Sequence, residues 1–222
     1  MSSKPLAQGV AEQEAISRAL KRADELDDAL MHAIGGAAYR PFDYTPRSLA
    51  AVSAASVAVE HGRAVRALLA EGLPTAALSL LRLQHEALTR GVWLFYAAPE
   101  PAIDKLTAPL SREAEAAAGK LPMMAMMLKE LEGKAPEPAL AGLRAFKDNN
   151  SPALNSFVHG GIHALQRHAQ GYPPPLVVGA LRNANGLSLM TAMLLAALAG
   201  QQAAMHRVGQ LQVAFAEHLP PP

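Results

Sequence analysis

Cysteine is absent from the 222 residues, which removes disulfides, thiolate catalysis and every zinc site built on sulfur. A chain without thiols is at ease in a reducing compartment, so a cytoplasmic location is expected. An excess of charge is lacking too: 20 Lys plus Arg stand against 19 Asp plus Glu, for a net charge of +1. Long-range capture of nucleic acid or anionic lipid is therefore weak for one chain, and any polyanion has to be held locally. The segment from Met1 to Ala15 carries Lys4, Glu12 and Glu14 and has no apolar core of the kind a secretory signal needs, so the mature chain is expected to start here. Alternating β-branched patterns are nearly missing, whereas Ala, Leu, Glu, Gln and Arg fill long windows. The expected fold is all-α, an antiparallel helical bundle, and no cofactor is needed to hold it together. There is no internal repeat.

One run lacks charge altogether. Asn183 to His206 contains no Lys, Arg, Asp or Glu, yet it includes Asn183, Asn185, Ser188, Gln201 and Gln202, and its strictly apolar part is shorter than a bilayer span. It reads as a central helix of the bundle rather than a membrane helix.

The chain suits a single helical domain. A first helix is predicted from about Leu6 to Ile34, closed by Gly35-Gly36, with residues 1–44 forming this helix and a two-proline linker, Tyr39 to Pro46. Thr45-Pro46 reads as a cap and a first-turn proline, opening a hairpin over residues 45–98 that turns at Gly72-Leu73-Pro74. Residues 99–149 change character, with six prolines from Pro99 to Pro138 and a Met-rich helix around Met123, Met124, Met126 and Met127. This is expected to be a helical insertion. Its methionines serve as core filler or as an adaptable contact surface, with Lys129, Glu130 and Glu132 on the wet side. Residues 150–222 complete the bundle: Ser151-Pro152 starts a helix, Gly160-Gly161 bends it, and one long helical region fills Leu176 to about Leu219. The tail ends in Pro220, Pro221 and Pro222 and is expected to fray.

The richest chemistry lies in Leu154-Asn155-Ser156-Phe157-Val158-His159. Positions four apart share a helix face, so Asn155, His159 and His163 are expected to point one way, beside an apolar stripe of Leu154, Val158, Ile162 and Leu165. An imidazole near neutrality is the natural proton carrier, and an amide one turn away can orient the ring or a phosphate. The same histidines could be core or interface groups. His159 and His163 also have the spacing of a zinc pair, but a third ligand is wanting and no metal is expected. On the third helix Arg82, Glu86 and Arg90 lie at four-residue steps, so Glu86 can accept from both guanidinium groups in a buried network, or one arginine can face a pocket beside His85. Arg182, amid the small residues Gly179, Ala180, Ala184 and Gly186, is the arginine expected near His159.

Leu80-Leu81-Arg82-Leu83-Gln84-His85-Glu86-Ala87-Leu88, running on to Arg90 and Trp93, and Leu154-Asn155-Ser156-Phe157-Val158-His159-Gly160-Gly161 together resemble the bacterial HEPN-like helical-bundle proteins over about Thr45 to Ala98 and Asn150 to Ala204. The resemblance implies a homodimer and a metal-independent ribonuclease whose helix carries Arg, a polar residue and, a few residues on, His, in a toxin or phage-defence setting. Asn155 matches the polar position and His159 the histidine. Leu154 stands where the family has arginine, and leucine cannot place positive charge on a scissile phosphate. Three readings follow: Arg82, Arg90 or Arg182 reaches the same space; the site binds RNA or a nucleotide without cutting; or the bundle serves as a noncatalytic scaffold for a protein partner.

Overall fold

The computed structural model describes residues 4–221, and among them ten α-helices and two short 3-10 turns occur with no strand. Met1 to Ser3, part of the expected signal-free start, and Pro222 of the expected tail lie outside the described residues. The helices are α1 (Lys4–Ala33), α2 (Pro46–Ala70), α3 (Pro74–Tyr96), α4 (Glu100–Thr107), α5 (Arg112–Ala118), α6 (Met124–Glu130), α7 (Glu137–Val158), α8 (Ile162–Gln170), α9 (Pro174–Leu198) and α10 (Gln202–Ala214).

The hairpin of α2 and α3 is the centre of the bundle. Thr45 caps α2, its hydroxyl accepting from the Ser48 amide at 3.3 Å, and Pro46 occupies the first turn where its missing N–H costs nothing. Ala51, Ala55, Ala58, Gly62, Val65 and Leu69 are buried at alternating steps of four and three residues, a narrow seam of small side chains that lets α3 approach closely. Arg47 ties the start of α2 to the end of α3, donating to the Leu94 carbonyl at 2.8 Å and to Glu100 at 2.5 Å. Helix α1 lies against α9 and α2, its Asp27 receiving Arg66 at 2.9 Å and Arg63 at 3.0 Å. At its far end the Ala33 carbonyl accepts from Arg207 of α10 at 2.7 Å. Among the described residues no helix is long and apolar enough to cross a membrane.

Four local expectations need correction. Helix α7 starts at Glu137, well before Ser151, and carries Pro152 inside it. The proline denies a donor to one carbonyl, while Phe146 and Leu154, both buried, hold the helix to the core on either side. The final helical region is broken, because Gly200 adopts φ +64° between α9 and α10 and Phe42 packs over it, its amide donating to the Leu198 carbonyl at 2.8 Å. The tail is not free to fray through Pro220, whose ring sits against Gly186, while Asn185 donates to the His218 carbonyl at 3.0 Å. In the Met-rich helix Met127 is buried but Met123 and Met126 are exposed, and Glu130 is no wet-side residue: it accepts from the buried Trp93 indole at 2.7 Å.

A polar layer crosses the interior on α3. Gln84, fully buried, donates to the Ala184 carbonyl and to the Ser188 hydroxyl, each at 3.2 Å, and thereby joins α3 to α9. A Cβ on Gly62 would stand 2.7 Å from the Gln84 amide nitrogen and 3.0 Å from Ser188 Oγ. One residue on, His85 stacks on Phe146 at 4.5 Å and donates from Nε2 to the Leu143 carbonyl at 3.0 Å, fixing the tautomer and joining α3 to α7. Burial pushes this imidazole from 6.5 down to about 4, against the Leu143 bond and with help from the charges of Arg82 and Lys147.

Two predictions follow from this layer. Gly62→Ala gains helix propensity of about 1 kcal/mol but displaces the Gln84 amide from two buried partners, so a net loss of roughly 1 to 2 kcal/mol is expected in urea unfolding. A more stable variant would contradict the close approach. For His85 the folded value lies below the unfolded one, so its contribution is complete above pH 6.5 and drains away as pH falls from 6.5 toward 4. That loss amounts to about 3 kcal/mol. The His85→Phe variant should be less stable at neutral pH yet lose less stability over the same acid window; parallel curves for the two proteins would refute it.

Candidate functional site

The Asn155–His159 segment is the end of a helix, not its middle. Helix α7 stops at Val158, His159 is its cap with the amide donating to the Asn155 carbonyl at 3.1 Å, and Gly160 follows at φ +61°. That left-handed turn is the usual glycine termination and it starts a new direction. Ser156 serves both helices: its carbonyl accepts from Gly161 at 2.7 Å, and its hydroxyl accepts from the His163 amide at 2.9 Å, capping α8.

The break redistributes the expected faces. Leu154 is buried at 4% exposure, so the arginine position of the HEPN-like pattern faces the core. Asn155 and His159 are exposed, and their side chains make no hydrogen bond among the described residues. The expected stripe ends with the helix: Ile162 and Leu165 are 63% and 66% exposed, and Phe157 takes the buried place instead. Phe157 stacks with the His163 ring at 6.5 Å and meets the Tyr172 ring at 6.3 Å, and Tyr172 shares a 2.7 Å hydrogen bond with Thr75 of α3. His163 thus turns toward Phe157 of α7 rather than continuing the face of Asn155 and His159. Arg167 and His168 lie farther along α8. Among the described residues no group of three or more His, Asp or Glu converges as metal ligands would.

The arginines lie elsewhere. Arg82 pairs with Glu86 within α3, at 3.0 Å from Nε and 2.6 Å from the terminal nitrogen. Arg90, half-buried, makes no hydrogen bond or ion pair, so the expected trio is a pair and a bystander. Both Arg82 bonds reach the same oxygen, Oε1, of the Glu86 carboxylate. His85 points into the core, where its ring is buried and bonded to the Leu143 carbonyl. Arg182, on α9, lines a cavity of about 530 Å³ against α1, and neither Asn155 nor His159 lines it.

That cavity carries chemistry that helical spacing alone did not reveal. Arg18, Lys21 and Arg22 of α1 face it with Arg182 of α9, against one carboxylate, Glu25. Glu25 is shared by Arg22 at 2.5 Å and Lys21 at 4.0 Å, and Arg22 also lies over the Phe215 ring at 4.4 Å. Arg182 has no ion-pair partner among the described residues. The available signal was the spacing of Arg18 and Arg22 on one face of the first helix, which shows a basic face but not what packs opposite.

No curated protein and no solved structure matches the chain. A protein-family model matches residues 55–221, from within α2 to the final residues of the tail, and so includes α3, the α7–α8 junction and the whole of α9. The chain is therefore a member of that family, a family of unknown function designated DUF6988.

Proposed function

We propose that the protein is a HEPN-like bundle that holds RNA or a nucleotide at the junction of α7 and α8 without cutting it. The observation behind this reading is the free, exposed pair Asn155 and His159, followed by His163, Arg167 and His168, in a stretch from Asn149 to Ala216 that contains no Asp or Glu. A phosphodiester approaching this surface meets an amide, imidazoles and a guanidinium, with no carboxylate on the same segment to repel it. Cleavage is not proposed, because the position that should deliver a guanidinium to the phosphate holds a leucine turned into the core.

The exposed Ile162 and Leu165 support pairing of two chains along α8, which would bring two Asn155–His159 ends to one cleft. The same two residues favour the second reading, a noncatalytic scaffold that docks a protein partner on α8.

Fluorescence anisotropy with a labelled single-stranded RNA separates the two. Binding that weakens with salt is expected, with the Arg167→Ala variant reducing the slope of log affinity against log salt by about 1. His159→Ala and Asn155→Ala should each weaken binding by about tenfold while leaving thermal stability unchanged, since neither side chain is buried. RNA should stay intact on a denaturing gel. Absence of binding to the wild-type protein, or binding indifferent to all three variants, would leave the scaffold reading.

A further inference from the structure

We infer that the cavity between α1 and α9 is a binding site for a phosphorylated small molecule of about mononucleotide size that also carries an N–H or O–H donor. The site stands apart from the α7–α8 junction and shares no residue with it.

Three observations converge. The first is charge. Four cations line the cavity; Lys21 and Arg22 share Glu25, and Arg18 reaches Glu14 on its own helix at 3.5 Å, which leaves Arg182 as the cation without an acid partner among the described residues. Arg182 is the sharpest case: an arginine from an otherwise uncharged helical stretch, without an acid partner, aimed at the same space as Arg18 and Arg22. Guanidinium groups from two helices converging on one opening match the planar, bidentate geometry of a phosphate or carboxylate.

The second is a buried acceptor. Asn185 lines the cavity, is 2% exposed, and donates its amide hydrogen to the His218 carbonyl at 3.0 Å, while its Oδ1 is buried with no partner. The bond to His218 fixes which end of the amide is oxygen, so the free group is an acceptor and asks for a donor. An unmet buried acceptor is costly, and a ligand donor seated beneath the arginines would relieve it.

The third is the shape and nature of the walls. Ala19, Val178 and Leu181 make an aliphatic floor between the basic rim and the amide, and about 530 Å³ lies within the range of small-molecule pockets. A bare inorganic ion would leave that floor and Asn185 unused. A phosphate joined to a ring bearing an amine or hydroxyl would use all three: anion on Arg18, Arg22 and Arg182, ring over the floor, donor toward Asn185. The wall beyond Asn185 comes from the C-terminal turn around His218, which Pro220 pins against Gly186, so the last residues close one side of the site.

The test uses the full chain and four probes: AMP, ribose 5-phosphate, adenosine and inorganic phosphate, read by thermal shift and titration calorimetry. AMP is expected to raise the melting temperature and to bind at least tenfold more tightly than adenosine or inorganic phosphate. Arg182→Glu should weaken AMP at least tenfold with an unchanged apo melting temperature, because the side chain is exposed and unpaired. The Asn185→Leu variant removes the acceptor and should erase the advantage of AMP over inorganic phosphate; Arg18→Glu provides a second surface variant should Asn185→Leu fold poorly. Ribose 5-phosphate binding like AMP places the donor on the sugar and supports the site. Equal response to AMP and inorganic phosphate, AMP affinity indifferent to Arg182→Glu, or no response to any probe up to about 5 mM would each overturn it. His159→Ala should keep the Arg182-dependent part of AMP binding, and Arg182→Glu should bind the labelled RNA as wild type does, so the two losses report on different sites.

Discussion

The closeness of α2, α3 and α9 is the constraint on which the other helices depend. Gly62 leaves room for the Gln84 amide, which reaches past it to the Ala184 carbonyl and Ser188 hydroxyl of α9. A bundle of leucine and alanine alone specifies volume but not register, because apolar contacts are non-directional. Buried hydrogen bonds add direction: they are satisfied in one alignment and costly in its neighbours. His85 performs the same service toward α7 through the Leu143 carbonyl. With α3 registered against both α7 and α9, the ends of those helices are placed, and both candidate sites are built on them.

The near-zero net charge conceals a separation that matters for both sites. The carboxylates lie in the first two thirds of the chain, apart from Glu217, and the α7–α8 junction and all of α9 are left with cations and imidazoles alone. Ion pairs consume many of the acids: Asp27 binds Arg63 and Arg66, Glu86 binds Arg82, and Glu132 binds Arg144. Arg182 and Arg167 therefore stand without local compensation. Local holding of an anion, the only kind that a chain of charge +1 supports, becomes possible at these places.

The all-α class, the α2–α3 hairpin with its Thr45-Pro46 start, and the end of α1 at Gly35-Gly36 were legible from residue types, because caps, first-turn prolines and positive-φ glycines act within a few residues. The continuity of α7 through Pro152 was not, since tertiary burial of Phe146 and Leu154 outweighs a local breaker. Nor was the break at Gly200, where Phe42, distant in sequence, covers the turn. The stripe of Leu154, Val158, Ile162 and Leu165 failed for a related reason. It assumes one helix across Gly160, and a single residue at φ +61° ends the periodicity.

Sequence alone determined that this chain is helical, that it has no thiol chemistry, and that Asn155 and His159 fall one turn apart. Such properties are set by composition and by spacing along a single helix. Only the tertiary structure decided that Leu154 faces inward while Asn155 and His159 face out, that Arg90 stays outside the Arg82–Glu86 pair, and that Arg182 meets the basic face of α1. The physical reason is that the direction of a side chain depends on which helix packs opposite, and that choice is made by contacts between segments distant in the sequence.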